Sequence, residues 1–177
     1  FGNKEVIAIL PGSRQQEIRK KLPIMLQVAA HFPDYQFIVA MAPGMDESFY
    51  ESFVQPYPNV SAVGGLTYDL LKIAKAALVT SGTATLETAL FGVPQVVCYK
   101  AGSISYAIAK RLITIPYISL VNLIMDKQVV TELIQEALTP ENIKRELQGI
   151  LHDAERKKQV GKDYFALRSL LSAGGNA

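Results

Sequence analysis

The chain has 177 residues, of which 49% are hydrophobic and 19% are charged, so it can bury the core of one α/β domain. Its formal net charge of +2 gives no strong field and argues against a dedicated nucleic-acid-binding protein. The single cysteine, Cys98, excludes an intrachain disulfide framework, and no apolar run reaches the length of a membrane-spanning helix.

Strand-like and helix-like patterns alternate along the chain. A β-branched apolar run stops at Pro11-Gly12 and predicts a buried first strand. Apolar residues from Ile18 to Phe32 then recur at helical spacing, with Pro23 expected to start or kink the helix. In chain order, the same patterns predict strands at 4–10, 36–41, 59–63, 76–80, 95–99 and 117–120. Further helices are predicted at 47–54, 66–75, 83–91, 103–112 and 131–137, and from Thr139 and Asp153 onward.

Apolar strands that alternate with helices are typical of parallel sheets with helices on both faces. We therefore expect residues 1–177 to form a single α/β domain, with a doubly wound, Rossmann-like and mostly parallel six-stranded sheet. In such sheets ligands bind beyond the carboxyl ends of the strands, where the strand order reverses. The chain begins with Phe1 and enters a strand pattern within a few residues, so we expect a domain excised from a longer protein with an upstream partner.

The loop after the first strand carries Gly12, Ser13 and Arg14. Glycine lets a ligand approach the backbone closely, serine offers a hydroxyl, and the planar guanidinium of arginine suits phosphate. A strand-to-helix turn with a solvated arginine explains the same residues about equally well.

Small residues follow the fourth strand and lead into a helix: Ser81, Gly82, Thr83, Ala84 and Thr85. Their backbone N–H groups are free to bind an anion at the positive end of the helix, and three hydroxyls add donors. Glu87 lies one turn inside this helix, where its carboxylate can accept hydrogen bonds from ribose hydroxyls. The alternative is a polar N-cap followed by an exposed glutamate.

Other motifs of nucleotide and metal chemistry are missing. Neither loop is a P-loop or a dinucleotide fingerprint, which disfavours ATP hydrolysis and NAD chemistry. The two histidines, His31 and His152, have no ligand-like spacing to Cys98 or to an acidic cluster. We therefore expect neither a metal site nor a Ser/His/Asp arrangement.

Polar residues near the fifth and sixth predicted strands can line the same crevice. Asn122 follows the sixth strand, and Glu132 and Gln135 are three residues apart on a predicted helix, so they share one face. Tyr99 and Lys100 end the fifth strand. Residues of these types are more often ordinary loop and surface residues.

Four short basic clusters are most simply explained as solvated helix faces, although one or two can contact anionic lipid. They are Arg19-Lys20-Lys21, Lys110-Arg111, Lys144-Arg145 and Arg156-Lys157-Lys158. Apolar and aromatic residues between Tyr106 and Tyr117 flank the second cluster and can add a membrane-facing patch, although core packing is their commoner role.

Three stretches together resemble lipid-A-disaccharide synthases, a family of bacterial glycosyltransferases. They are LPGSRQQEIRKKLP at 10–23, SGTATLETALFGVPQVVCYK at 81–100, and YISLVNLI with VVTELIQ at 117–124 and 129–135. LPGSR followed by Glu-Ile, together with SGTATLE, is quite specific, and the stretches occur in the family's order. The family usually has a proline where this chain has Val121.

The resemblance implies a two-domain GT-B enzyme, with this chain as the carboxyl-terminal, donor-binding half. The implied donor is UDP-2,3-diacylglucosamine and the implied acceptor is 2,3-diacylglucosamine 1-phosphate, which give the β-1,6-linked disaccharide precursor of lipid A. The resemblance further implies an inverting reaction without a metal or other cofactor and a general base in the amino-terminal domain of the same protein. The expected location is the cytoplasm, as a peripheral protein at the inner face of the inner membrane.

With this resemblance, Arg14 and the amides of residues 81–85 are assigned to the diphosphate and Glu87 to the ribose. Asn122 and Gln135 are weaker candidates for the diphosphate or the donor sugar, and no catalytic residue is expected in this chain. Two alternatives stay open. One is a UDP-N-acetylglucosamine 2-epimerase, which shares the architecture but resembles a serine-glycine-glycine motif with paired glutamates. The other is a non-catalytic module that binds a nucleotide or a partner.

Overall fold

The computed structural model describes residues 3–80, 82–102 and 116–175 of the chain. In this part, six strands form one sheet: β1 (Glu5–Leu10), β2 (Tyr35–Met41), β3 (Val60–Gly64), β4 (Ala74–Val79), β5 (Gln95–Tyr99) and β6 (Thr131–Ile134). The α-helices of the same part are α1 (Gln15–Gln27), α2 (Glu47–Val54), α3 (Thr67–Ile73), α4 (Thr83–Leu90), α5 (Leu120–Met125), α6 (Pro140–His152) and α7 (Ala154–Gly175). Short 3-10 helices follow α1 and β6, at Val28–His31 and Gln135–Ala137.

The order of the strands creates a point where the sheet reverses its direction of growth. All neighbouring strands are parallel, and their order is β3-β2-β1-β4-β5-β6. The chain builds outward from β1 to β3 and then returns to place β4 on the other side of β1. Leu10 pairs with Val79 in this register, and the Thr80 amide donates to the Leu10 carbonyl at 3.0 Å. The loops after β1 and β4 therefore start side by side.

Helices cover both faces of the sheet, as the alternation of buried strand residues requires. On the first face, Ile7 and Ile9 pack in one core with buried residues of α1, α2 and α6. On the second face, Ala8 and Leu10 pack with buried residues of α3. Farther along that face, Val97 packs with α4, α5 and α7. The prediction of a doubly wound parallel sheet is confirmed.

Helix α7 completes the second face through polar as well as apolar contacts. The buried Tyr164 hydroxyl donates to the Val93 carbonyl at 2.9 Å and accepts from Gln95 Nε2 at 3.2 Å. Burial raises the pKa of Tyr164, while the hydrogen bond from Gln95 opposes that change. An ion pair of 2.8 Å joins Asp163 of this helix to Lys127, which precedes β6. Helix α7 is thus tied to the segments that lead into both β5 and β6.

The sixth strand is not where the sequence pattern predicts it. The predicted strand at 117–120 is wrong, because Leu120–Met125 is a helix that Ser119 caps by accepting from the Asn122 amide at 3.3 Å. The predicted helix at 131–137 is also wrong, because Thr131–Ile134 pairs with β5 as β6. A four-residue strand that contains a glutamate gives no clear alternation, so neighbouring helical spacing dominated the pattern.

Other predicted helices differ from the structure at their ends or lie outside the described residues. The helix predicted at 66–75 ends at Ile73, because the following residue already has extended backbone and begins β4. The same helix begins at Thr67, with Leu66 at its N-cap position. Pro23 lies inside α1, so it does not start the helix. The helix predicted at 103–112 lies outside the described residues.

Asn122 is expected to be a major stabilising residue of the β5–β6 half. Its buried amide accepts from the backbone N–H groups of Val129 and Val130 at 2.8 and 3.0 Å. It also donates to the Val130 carbonyl at 2.8 Å and to Glu132 at 3.0 Å. Asn122→Ala leaves these groups unpaired and should lower the free energy of unfolding by about 2–4 kcal/mol.

Urea unfolding followed by circular dichroism measures this change. Asn3→Ala is the matched control, because Asn3 is exposed, and it should change the free energy of unfolding by less than about 0.5 kcal/mol. Equal, small effects of both substitutions would contradict the assigned role of Asn122.

Candidate functional site

Two glycine-containing turns start side by side at the switch point between β1 and β4, where a doubly wound sheet has its ligand-binding crevice. Gly12 and Gly82 have φ angles of 110° and 114°, which L side chains rarely adopt. A Cβ atom on Gly12 would lie 2.9 Å from Glu17 Oε2 and 3.6 Å from Thr80 Cγ2. A glycine is therefore needed at position 12 both for the turn and for the close approach of the loop to its neighbours.

Arg14 stands at the rim of this crevice, at the N-cap position of α1. Its backbone is extended, and its carbonyl accepts from the Ile18 amide at 3.0 Å, which starts the helix. The side chain is exposed, and among the described residues its guanidinium has no hydrogen-bond or ion-pair partner. All of its donors are thus available to an anionic ligand.

Helix α4 begins on the other side of the crevice, with Gly82 at its N-cap position. The first-turn amides of a helix have no acceptor within the helix, and they sit at its positive end. The Thr85 hydroxyl is buried and donates to the Gly82 carbonyl at 2.9 Å, so it holds the turn together. Thr83 is exposed and Ala84 is half-buried, while Ser81 lies outside the described residues. The backbone amides around Gly82 are therefore better placed to bind an anion than the Thr85 hydroxyl, which already donates to the Gly82 carbonyl.

Glu87 lies in the second turn of α4 and is half-buried. Among the described residues its carboxylate accepts no hydrogen bond, so it is available to a ligand. Helices α1 and α4 both begin at the carboxyl edge of the sheet but cover opposite faces of it. Arg14 and Glu87 thus belong to the same end of the sheet and approach the crevice from its two sides.

Lys21 also lies in this region. The prediction that it belongs to a solvated cluster with Arg19 and Lys20 is wrong. Arg19 and Lys20 are exposed, but Lys21 is only 2% exposed and donates from Nζ to the Thr80 hydroxyl. Burial lowers the pKa of Lys21, Glu17 and the Cys98 sulfur oppose that change, and Lys20 adds to it. The signal that places Lys21 inside is its position three residues after the buried Ile18, on the inner face of α1.

The end of β5 lies next to this lysine. Lys21 Nζ is 5.9 Å from the centre of the half-buried Tyr99 ring, so Tyr99 lies beside the buried lysine. Cys98, one residue earlier, is fully buried. Burial raises the pKa of Cys98 to about 12, with the charge of Lys21 opposing, so the group is a thiol at neutral pH. It is a core residue and not an activated nucleophile.

Asn122, Glu132 and Gln135 form internal hydrogen bonds at the β5–β6 edge. Glu132 is on β6 and Gln135 is in the following 3-10 helix, so the predicted shared helical face is wrong. Glu132 accepts from the backbone amide of Ser119 at 2.8 Å and from Asn122. Gln135 Oε1 accepts from the Ala101 amide at 2.7 Å. These side chains fix the loops after β5 and before α5, and the Asn122 amide has no capacity left for a ligand.

Among the described residues, no helix combines the length and the hydropathy that a bilayer crossing requires. Nor do three or more His, Cys, Asp or Glu side chains gather there as metal ligands do. Lys110-Arg111 and the apolar residues before Ile115 lie outside the described part, so the membrane-facing patch stays a prediction.

The strand order defines a doubly wound, Rossmann-like domain with the fold of one half of GT-B glycosyltransferases. Solved structures with this fold include the spinosyn rhamnosyltransferase SpnG, with a TM-score of 0.63 and 13% identity over 94% of this chain and 42% of that one. A UDP-N-acetylglucosamine 2-epimerase described as putative, from Listeria monocytogenes, has a TM-score of 0.61 and 12% identity over 96% and 44%. Both likenesses show the fold alone.

The sequence places the chain within one family. The model of the lipid-A-disaccharide synthetase family matches residues 2–172, so this chain belongs to that family. The lipid-A-disaccharide synthase of Syntrophus aciditrophicus is 40% identical over 186 residues, which cover 100% of this chain and 49% of that protein. The chain spans about half the length of the curated relatives that it matches.

Replacing Gly12 should strain the turn that follows β1. Gly12→Ala places a Cβ at positive φ and 2.9 Å from Glu17 Oε2, and we expect a loss of about 1–3 kcal/mol of unfolding free energy. Gly161→Ala is the control, because Gly161 is in α7 with no heavy atom within 4 Å of the added Cβ. The control should gain about 0.5–1 kcal/mol in urea unfolding. The same sign of change in both variants would refute the strain at position 12.

Proposed function

We propose that this chain binds the UDP group of UDP-2,3-diacylglucosamine. The whole enzyme then transfers the acylated sugar to 2,3-diacylglucosamine 1-phosphate and forms the lipid A disaccharide. The observation that carries the proposal is the crevice between β1 and β4. There the neighbouring strands β1 and β4 end side by side and lead through the turns at Gly12 and Gly82 to the unpaired guanidinium of Arg14 and the amino end of α4, in a chain of the lipid-A-disaccharide synthetase family.

In this proposal the residues of the crevice divide between the diphosphate and the ribose of UDP. When an inverting transfer breaks the bond to the sugar, negative charge develops on the departing diphosphate. Arg14 and the amides around Gly82 supply fixed donors for that charge, and losing one such donor costs about 2–4 kcal/mol of barrier. Glu87 accepts hydrogen bonds from the two ribose hydroxyls, because its carboxylate lies deeper along α4.

The remaining parts of the reaction belong to the rest of the enzyme in this proposal. A base is needed to deprotonate the acceptor hydroxyl, and we assign it to the amino-terminal domain. The share of about half that this chain covers in its relatives agrees with such a second domain. Because both substrates are acylated, we place the enzyme at the cytoplasmic face of the bacterial inner membrane as a peripheral protein.

The competing functions have weaker support. The 2-epimerases share the fold, but the family match lies with the synthases, and SGTATLE lacks the paired glutamates of the epimerase motif. Conversion of UDP-N-acetylglucosamine by the whole protein would decide for the epimerase. A non-catalytic module predicts that the whole protein transfers no sugar at all.

Substitutions at the two sides of the crevice test the proposal. Arg14→Ala removes charge-assisted hydrogen bonds and should weaken UDP binding by about 10- to 100-fold. Glu87→Ala should weaken UDP and UMP alike, because the ribose is common to both. Isothermal titration calorimetry measures the affinities, and circular dichroism checks that the fold survives.

Arg145→Ala is the control for charge, because Arg145 is exposed on α6. Its UDP affinity should stay within about twofold of the unsubstituted chain. Unchanged UDP affinity in both the Arg14 and Glu87 variants would count decisively against the site.

The proposal also makes the binding of UDP independent of divalent metal. The positive charge that a metal supplies to diphosphates elsewhere comes here from a guanidinium and from backbone amides. Titrations with UDP in excess EDTA and in excess Mg²⁺ should give affinities within about twofold of one another. A requirement for Mg²⁺ would overturn this part of the proposal.

A further inference from the structure

We propose that the buried ammonium group of Lys21 is a fixed counter-charge for the diphosphate and a positioning residue that acts through Thr80. The inference rests on the proposed function, because it assumes that an anion occupies the crevice between β1 and β4. It assigns a role to a residue of α1 that lies behind the crevice and not at its rim.

Lys21 is a buried cation without a carboxylate partner in the described part of the chain. Its side chain is 2% exposed, and among the described residues no carboxylate oxygen lies within 4.0 Å of its Nζ. Glu17 is one helical turn earlier, but its Oε2 lies against the Gly12 backbone instead. A buried charge that lacks a partner costs several kcal/mol of desolvation. An anion in the crevice would offset that cost.

The side chain of Thr80 connects Lys21 to the crevice. Lys21 Nζ donates to Thr80 Oγ1, and Thr80 Cγ2 would be 3.6 Å from a Cβ placed on Gly12. The Thr80 amide in turn donates to the Leu10 carbonyl, so Thr80 fixes the spacing of the two loops. Because its oxygen accepts from the ammonium, the proton of the Thr80 hydroxyl points away from Lys21. Lys21 therefore orients Thr80 and places a positive charge directly behind the Gly12 turn.

The buried charge of Lys21 and the exposed charge of Arg14 differ in how strongly they interact with a bound anion. Arg14 is exposed, so water and salt weaken its interaction with a ligand. Lys21 is surrounded by protein, where the effective dielectric constant is lower and a charge acts more strongly over the same distance. Its ammonium is already held in place, so no reorganisation is needed when the diphosphate binds.

Two substitutions separate the charge of Lys21 from its hydrogen bond. Lys21→Gln keeps a donor for Thr80 but removes the charge, and Lys21→Met removes both. We expect each variant to lose about tenfold in affinity for UDP and clearly less for UMP, which carries less negative charge. We also expect Lys21→Met to raise the melting temperature, because an unpaired buried charge is replaced by an apolar group of similar length.

The control is Lys158→Met, which removes the same charge from an exposed position on α7. Its ratio of UDP to UMP affinity should match that of the unsubstituted chain. Calorimetric titrations with UDP, UMP and inorganic pyrophosphate, together with thermal unfolding, give all of these values. If Lys21→Met does not fold, Lys21→Gln alone decides the result.

Each outcome has a defined meaning. A fall in the UDP-to-UMP ratio in Lys21→Gln supports the counter-charge, whereas an unchanged ratio, or affinity lost only in Lys21→Met, overturns it. If the unsubstituted chain binds pyrophosphate but not UDP, the proposed function fails. The role of Lys21 is then tested by comparing the pyrophosphate affinities of the Lys21→Gln variant and the unsubstituted chain. If it binds neither, both proposals fail.

Discussion

The hydrogen bond between the Thr80 amide and the Leu10 carbonyl marks the constraint on which the site depends. It exists because the chain returns past β1 to lay down β4, which places two parallel strands side by side although about seventy residues separate them. Both strands end at the same edge, so the turns at Gly12 and Gly82 open toward one crevice. The donors of α1 and α4 meet there only because the two helices leave neighbouring strands on opposite faces of the sheet.

The sequence predicts most of the fold well because the signals are local. Apolar runs bounded by turn residues define β1, β2, β4 and β5, and Thr139 and Asp153 cap α6 and α7 by accepting hydrogen bonds of 3.1 Å from nearby amides. The stretch from α5 to β6 is predicted less well, because its organisation depends on contacts that form only in the folded chain. The bonds of Asn122 to Val129, Val130 and Glu132 leave no periodic pattern in the chain. They turn a segment that looks like a strand into α5 and one that looks like a helix into β6.

The two cations near the crevice differ in the same way. The sequence motif indicates a role for Arg14, whereas the burial of Lys21 depends on tertiary packing. Arg14 could be singled out because an arginine next to a Pro-Gly-Ser turn has an obvious use for phosphate. Lys21 stands in a run of three cations, and only its spacing from Ile18 and Leu22 distinguishes it from its exposed neighbours. Its burial depends on space between α1 and the ends of β4 and β5, and composition carries no information about that space.

The way in which α7 covers the second face bears on how the chain folds during synthesis. Tyr164 reaches back 71 residues to the Val93 carbonyl, and Val97 and Ala89 share a core with Val160 and Leu167. On the ribosome, strands β1 to β5 and helices α1 to α4 emerge well before this helix does. The part of the apolar surface of β5 and α4 that α7 covers therefore stays open to water until α7 has been translated. That nascent intermediate is the species in which chaperone binding or aggregation competes with folding.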